Sequence, residues 1–289
     1  MDSYALVKLP YCAPDAPTLP TYEEIDGLRK KLSDSGYTLA SRPGRRIVQF
    51  RKELFIKYGK DVDLTEGQNM LIVNKHTHLP IPKLYSMYVH EPTGDKVIIM
   101  EYIKGRPLNT CYASFDDEKM ASIGVQLRQQ LSELRAMPSP GYYGSVGRQP
   151  YLPYSWILKE QAGPFESADE FLNAYFKAQF SEGSPETLAQ VEEMKSQFLE
   201  LSKNHNASVF THGDLQSQNI MLREDGTISI IDWESASFCP QYFEYFINAI
   251  YPMASAGWSE EEKERVFEYD PMVKLITKVW YEYLDYPGF

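Results

Sequence analysis

The sequence predicts an α+β fold of two lobes, a small antiparallel β-sheet followed by a larger, mainly helical part. Three observations carry this reading. Residues 37–104 break into short β-rich runs separated by turns. Residues 105–289 are dominated by longer runs with helical spacing. Inside that helical half sits one hairpin: Ile220-Met-Leu222, the turn Arg223-Glu-Asp-Gly226, then Ile228-Ser-Ile-Ile231. An Asp-Gly turn between two apolar runs predicts paired strands.

Composition narrows the function. A chain of 289 residues, 43% apolar and 24% charged, can bury a sizeable core in one domain or two coupled lobes. A net charge of −11 argues against a nucleic-acid partner and permits a cationic one. Cys12, Cys111 and Cys239 are odd in number and far apart, so no disulfide framework or zinc site is implied and a reducing compartment fits. Pro10, Pro14, Pro17 and Pro20 interrupt the N-terminus, which lacks the basic and apolar runs of a signal peptide. No apolar run approaches membrane-spanning length, so no membrane partner is expected and the cytoplasm is the expected location.

In chain order, residues 1–36 form an extension and a helix. Met1–Pro20 is expected to lie extended on the surface. Thr21-x-x-Glu24 has the pattern of a capping box and opens a helix to Ser35, with Ile25, Leu28 and Leu32 on one face and Gly36 ending it. Residues 37–104 make the first lobe. Tyr37–Ala40, Arg46–Phe50 and Leu54–Lys57 read as strands, joined by a tight segment Ser41–Arg45 and a charged turn Arg51–Glu53. Lys57 closes an otherwise apolar strand, where a charge is costly to bury unless paired or facing an anion. Glu66, followed by the run Met70–Val73, is its natural partner. His76 and His78 lie in a Pro-rich surface connector with no acidic or thiol company, which argues against a metal. Lys83–Val89 and Val97–Met100 are strands around the turn Glu91–Gly94.

Residues 105–289 make the second lobe. Asp116–Met137 is a long helix with Met120, Ile123, Leu127, Leu131 and Leu134 on one face. Pro138–Gly141 ends it, and Tyr142–Leu152 is a loop. Trp156–Phe180 and Pro185–Asn204 read as helices; Glu160, Glu166, Asp169 and Glu170 are either a solvated face or a partner for a cation. After Glu234 the chain enters helices reaching Tyr286, one of them opened by Glu260-Glu-Glu262, where acidic residues favour the helix dipole.

The chemistry lies in His212-Gly-Asp-Leu-x-x-x-Asn219 and Ile231-Asp-Trp-Glu234. Asp214 falls on a loop, where it can face an acceptor hydroxyl. Asn219 and Asp232 fall at the two ends of the hairpin, so both can converge on one hard cation through oxygen. This pairing of motifs resembles the aminoglycoside phosphotransferase / choline kinase family, and within it the fungal branch. The resemblance covers nearly the whole chain from Tyr37 onward.

It implies a protein-kinase-like fold and a catalytic set of Asp214, Asn219 and Asp232. Asn219 and Asp232 would bind Mg²⁺, with ATP or GTP as donor and a small-molecule hydroxyl as acceptor. It implies that Lys57, fixed by Glu66, contacts the phosphates. The turn at Ser41 would cover the nucleotide, although its one glycine, Gly44, makes no Gly-rich loop. Val97–Ile103 resembles the hinge, where the Glu101 carbonyl and the Ile103 amide would meet the base and Phe55 would pack against it. A protein kinase fits less well: Gly213 stands where many such enzymes carry arginine, Trp-Glu follows Asp232 instead of Phe-Gly, and no Ala-Pro-Glu follows. A non-catalytic nucleotide-binding protein on the same scaffold is the other alternative.

Overall fold

Alternation of side chains along one central strand organises the first lobe. The structure, a computed structural model, describes residues 4–35, 40–153, 158, 161–180 and 184–250. The elements of this lobe are β1 (Tyr11–Cys12), α1 (Tyr22–Ser35), β2 (Ala40–Arg42), β3 (Arg45–Phe50), β4 (Leu54–Gly59), α2 (Thr65–His76), β5 (Leu84–His90) and β6 (Asp95–Glu101). The strands form one antiparallel six-stranded sheet in the order β1-β5-β6-β4-β3-β2. Because neighbours along a strand face opposite ways, Leu54, Ile56 and Tyr58 of β4 pack with Val48, Val97 and Ile99 against Ile25 of α1. Phe55 joins Met87, Ile98 and Met100 on the opposite face, in the larger core with Met70 and Val73 of α2.

The capping box is realised. Thr21 N–H donates to Glu24 Oε2 at 2.9 Å, and Glu24 N–H donates to Thr21 Oγ1 at 3.3 Å. Three expectations need correction. The N-terminal segment is not simply draped on the surface: Tyr4 is buried in the larger core, its hydroxyl donates to Pro138 O at 2.5 Å, and Tyr11–Cys12 adds an edge strand to the sheet. An aromatic side chain three residues from the start and a two-residue strand carry no periodicity from which to predict this. The first hairpin turn is also tighter than the segment 41–45, since Ser41 and Arg42 already pair with Arg46 and Arg45. Residues 36–39, and so most of the strand expected over Tyr37–Ala40, lie outside the described residues. Lastly, β4 continues two residues beyond Lys57, which is therefore interior.

The second lobe contains β7 (Gly105–Pro107), α3 (Asp117–Arg135), α4 (Ala168–Gln179), α5 (Pro185–Ser202), β8 (Ser208–Thr211), β9 (Ile220–Arg223), β10 (Ile228–Ile230), β11 (Ser237–Pro240) and α6 (Phe243–Ile250). Asp116 caps α3 by accepting from Lys119 N–H at 2.8 Å, and Ile123, Leu127, Leu131 and Leu134 are buried. α4 starts at Ala168, with residues 161–167 ahead of it not helical; Trp156, where the helix is expected to begin, lies outside the described residues. Gly163-Pro164 interrupts the run, and Ser167 supplies the cap by accepting from Glu170 N–H at 3.2 Å. The Asp-Gly hairpin forms as β9 and β10 with Ile228 opposite Leu222, and β7 adds a third strand along β9. Ser237–Pro240 is a strand, paired with β8, where a passage toward helices was expected. The remaining C-terminal expectations, Glu260–Glu262 and the helices to Tyr286, lie outside the described residues. No helix among the described residues is long and apolar enough to cross a membrane.

Candidate active site

Two short connections bring the carboxylates together. In the first, β8 runs into His212-Gly213-Asp214. The His212 ring is fully buried and bridges loop to hairpin: its Nδ1 accepts from Asp214 N–H at 3.3 Å and its Nε2 pairs with Ile231 O at 3.0 Å. That pattern needs the neutral imidazole with its proton on Nε2. Burial pushes its pKa down to about 4, against the raising effect of the Ile231 carbonyl. Glu244 of α6 reaches the same loop from below. Its Oε2 accepts from His212 N–H at 2.6 Å and Gly213 N–H at 3.3 Å.

Asp214 is oriented by its own loop. Asn219 Nδ2 donates to Asp214 Oδ2 and to Asp214 O, each at 2.9 Å, and Gln216 Nε2 donates to Asp214 Oδ1 at 2.5 Å. Burial, then the charge of Asp232, pushes the Asp214 carboxyl up to about 7, with the hydrogen bonds from Gln216 and Asn219 opposing. Asn219 is itself tied to the second connection, because Ile231 N–H donates to Asn219 O at 2.9 Å.

In the second connection the chain leaves β10 through Asp232, held in the left-handed region at φ 64° and ψ 63°. Asp tolerates that conformation better than most side chains. Trp233 behind it is fully buried, its Nε1–H donating to Ile230 O at 3.0 Å. Asn69 of α2 clamps this turn, donating to Trp233 O at 2.8 Å and Ala236 O at 2.9 Å.

The first lobe delivers cations to these acids. Lys57 Nζ donates to Glu66 Oε1 at 2.7 Å and to Asp232 Oδ1 at 2.6 Å, with the ammonium buried. Burial works against that charge, but Glu66 and Asp232 outweigh it and hold the lysine protonated. Burial pushes the Glu66 carboxyl up, Lys57 opposing, whereas Asp232 is held below its usual range by Lys57 and Arg45 despite its own burial. Arg45 Nη1 meets Glu234 at 2.7 and 2.9 Å, and Arg45 Nη2 lies 3.7 Å from Asp232 Oδ1. Carboxylate oxygens of Glu66, Asp232 and Glu234 lie within 4.8 Å of one another. The donor set is all oxygen, which suits a hard cation, and the Asn219 amide nitrogen is spent on Asp214, so its Oδ1 is the ligand atom it can offer.

The structure thus brings Asp214, Asn219, Asp232, Lys57 and Glu66 into one connected cluster. Phe55 lies on the Lys57 face of β4, partly buried against the larger core. At the expected hinge, Glu101 N–H donates to Lys83 O at 2.8 Å, but Lys83 N–H turns to the Glu101 carboxylate at 3.2 Å instead of the carbonyl a regular ladder would use. Tyr102 N–H donates to Glu53 O at 2.8 Å, and Ile103 is buried. The backbone of Ser41 pairs with Arg46, at the far edge of the sheet. Neither Ser41 nor the hinge residues enter the hydrogen-bonded cluster.

Arg45, Gln216, Asn69 and Glu244 are absent from the set of site residues expected from sequence. Glu244 had a signal: a carboxylate in the mostly apolar run Phe243–Ile250 must find a buried partner. Asn69 had a weaker one, as an amide inside a helix buried on most sides. Arg45 had none beyond its place at the end of a turn.

Comparison with known proteins agrees with this architecture. The crystal structure of aminoglycoside phosphotransferase APH(4)-Ia superposes with a TM-score of 0.60 at 14% identity, over 90% of this chain and 88% of that one. The GDP complex of aminoglycoside 2'-phosphotransferase-IIIa superposes with a TM-score of 0.58 at 13% identity, over 88% and 86%. ADP-bound APH(2'')-Ib gives 0.55 at 14%, over 88% and 85%. These likenesses establish the protein-kinase-like fold. Among curated proteins none matches the sequence. The profile of the phosphotransferase enzyme family matches residues 40–270, a span that includes every residue of the cluster, and the chain therefore belongs to that family.

Proposed function

We propose that this protein transfers the γ-phosphoryl group of ATP or GTP to a hydroxyl of a small, amine-bearing molecule, with Asp214 as the group that orients that hydroxyl and accepts its proton. The observation that carries the reading is the state of Asp214. It is a half-buried carboxylate fixed through both oxygens, with a pKa pushed up to about 7, where a base is most useful at neutral pH. In the transfer, a bond forms between the acceptor oxygen and the γ-phosphorus as the bond from that phosphorus to the β–γ bridging oxygen breaks. The nucleoside diphosphate leaves and the hydroxyl proton passes to Asp214.

Lys57, steadied by Glu66, would neutralise phosphate charge, and Phe55 with the Glu101 carbonyl and Ile103 amide would seat the base. Asn219 and Asp232 would hold Mg²⁺, which when bound supplies charge neutralisation on the phosphates. Positioning and electrostatics carry most of the rate in such transfers. Relatives crystallised with ADP and with GDP support either donor. An amine-bearing acceptor accords with the net charge of −11 and with the aminoglycosides named for the relatives. A cytoplasmic setting accords with three free cysteines.

The test is Mg²⁺-dependent diphosphate release across aminoglycosides, choline, ethanolamine, sugars and hydroxylated natural products, with ATP and with GTP. The expected outcome is acceptor-dependent release that Asp214→Asn abolishes while nucleotide still binds. Normal turnover in Asp214→Asn sinks the assignment.

A further inference from the structure

We propose that Arg45 is a second cationic contact for the donor's phosphates, held on Glu234 until a divalent cation takes that carboxylate and released to phosphate by the exchange. This rests on the phosphotransferase reading above.

Placement comes first. Arg45 opens β3 immediately after the Pro43-Gly44 turn, and Ile47 pairs with Lys57 on the neighbouring strand. Two adjacent strands thus send one cation each to the same acids, Lys57 at 2.6 Å from Asp232 Oδ1 and Arg45 at 3.7 Å from that same atom.

The turn that carries Arg45 is a fixed base. Asp61 N–H donates to Gly44 O at 2.9 Å. A Cβ on Gly59 (φ +133°) would sit 2.1 Å from Gly44 O, and one on Gly44 (φ +75°) would sit 2.0 Å from Asp61 Oδ2. Glycine at both positions lets the turn press against the link that leads into α2, the helix of Glu66. A guanidinium held this way reaches into the cluster from a backbone that does not have to move.

Charge decides which contact yields. Glu66, Asp232 and Glu234 supply three negative charges to two cations, so a divalent ion held by Asn219 and Asp232 that also takes Glu234 overfills the cluster and displaces a cation. Lys57 is only 4% exposed and locked between two acids. Arg45 is 17% exposed and Glu234 30%, so this pair sits nearer solvent and is the one free to rearrange. Nη1 alone now holds both oxygens of Glu234, with Nη2 turned toward Asp232, and the planar guanidinium can offer both nitrogens as a fork to a phosphate.

The experiment is calorimetric titration of the full chain with the Mn²⁺ complexes of non-hydrolysable ATP and GTP analogues, and with Mn²⁺ alone. Wild type, Arg45→Ala, Arg45→Lys and Lys57→Ala are compared. Arg45→Ala is expected to weaken the metal–nucleotide complex about tenfold, the worth of one charge-assisted contact. It should also tighten Mn²⁺ alone, because Glu234 and Asp232 lose a competitor. Arg45→Lys, a point charge without the fork, should fall between, and it decides the matter by itself should Arg45→Ala fail to fold. Metal–nucleotide binding unchanged or tighter in both Arg45 variants, with Lys57→Ala impaired, overturns the proposal: Arg45 is then an interlobe fastener and the phosphotransferase reading stands. Wild type that binds neither nucleotide complex overturns both.

Discussion

The two sides of the cluster are built on different physics. On the Asp214 side, His212, Asp214, Asn219 and Glu244 are joined mainly through hydrogen bonds to backbone, and the central ring is neutral. On the Lys57 side, Lys57, Glu66, Asp232, Arg45 and Glu234 are joined by ion pairs. A hydrogen-bonded frame fixes one geometry. An ion-pair network can exchange partners when another charge arrives. Under the proposed function, the base to be aimed sits in the first, and the groups that would trade partners with phosphate and metal sit in the second.

The largest effect is expected from breaking the charged side. Lys57→Met removes the buried ammonium and leaves Glu66 and Asp232 facing each other, which should cost about 3–5 kcal/mol of stability at neutral pH. Acid should repair it, because protonating Glu66 removes the unpaired charge. Denaturant melts from pH 8 to pH 5 check this, and a deficit that does not shrink with acid would show that the network is not held by charge.

Acid should act in the opposite sense on the hydrogen-bonded side of the wild-type protein. His212 sits at about pKa 4, against roughly 6.5 in an unfolded chain. The unfolded state therefore binds the extra proton first. Stability from this residue is complete above the unfolded value and is lost as pH falls toward 4, on the order of 3 kcal/mol over the window. His212→Gln should flatten that part of the pH–stability curve. Next in size, Glu244→Ala strands two buried N–H groups and should cost about 2–3 kcal/mol, with Glu244→Gln recovering most of it through its carbonyl oxygen.

The same contrast explains what was legible in the sequence. Asp214, Asn219 and Asp232 lie within nineteen residues, and an Asp-Gly hairpin fixes their approach by local rules. Lys57 and Glu66 are nine residues apart, joined by a tight link, and a lysine in an apolar strand announces a need for a partner. Arg45 and Glu234 are 189 residues apart, and nothing in either neighbourhood points to the other. The N-terminal strand was hidden for a related reason: two residues cannot show alternation, and their place in the sheet comes from pairing with β5 across more than seventy positions. Helical stripes such as that of α3 were plain, but the start of α4 depended on a Gly-Pro break and a serine cap inside an apolar stretch.

The smallest expected effect concerns how the charged side is kept in place. Gln68, two residues after Glu66 on α2, accepts from Val7 N–H at 2.8 Å and donates to Val7 O at 2.9 Å. Tyr4, three residues before Val7, packs its ring 4.8 Å from that of Phe238 in the second lobe. The N-terminal segment thus ties α2 to the other lobe with neutral hydrogen bonds and an aromatic contact. A network able to exchange charges still needs its helix held still, and the strap uses the same kind of fastening as the Asp214 loop. Gln68→Leu keeps the buried volume and removes both hydrogen bonds, so stability should fall by about 1–2 kcal/mol. Metal–nucleotide affinity should fall only slightly, by less than in Lys57→Ala. A loss of affinity as large as that of Lys57→Ala would mean that the position of Glu66 depends on the strap and not on the lysine it pairs with.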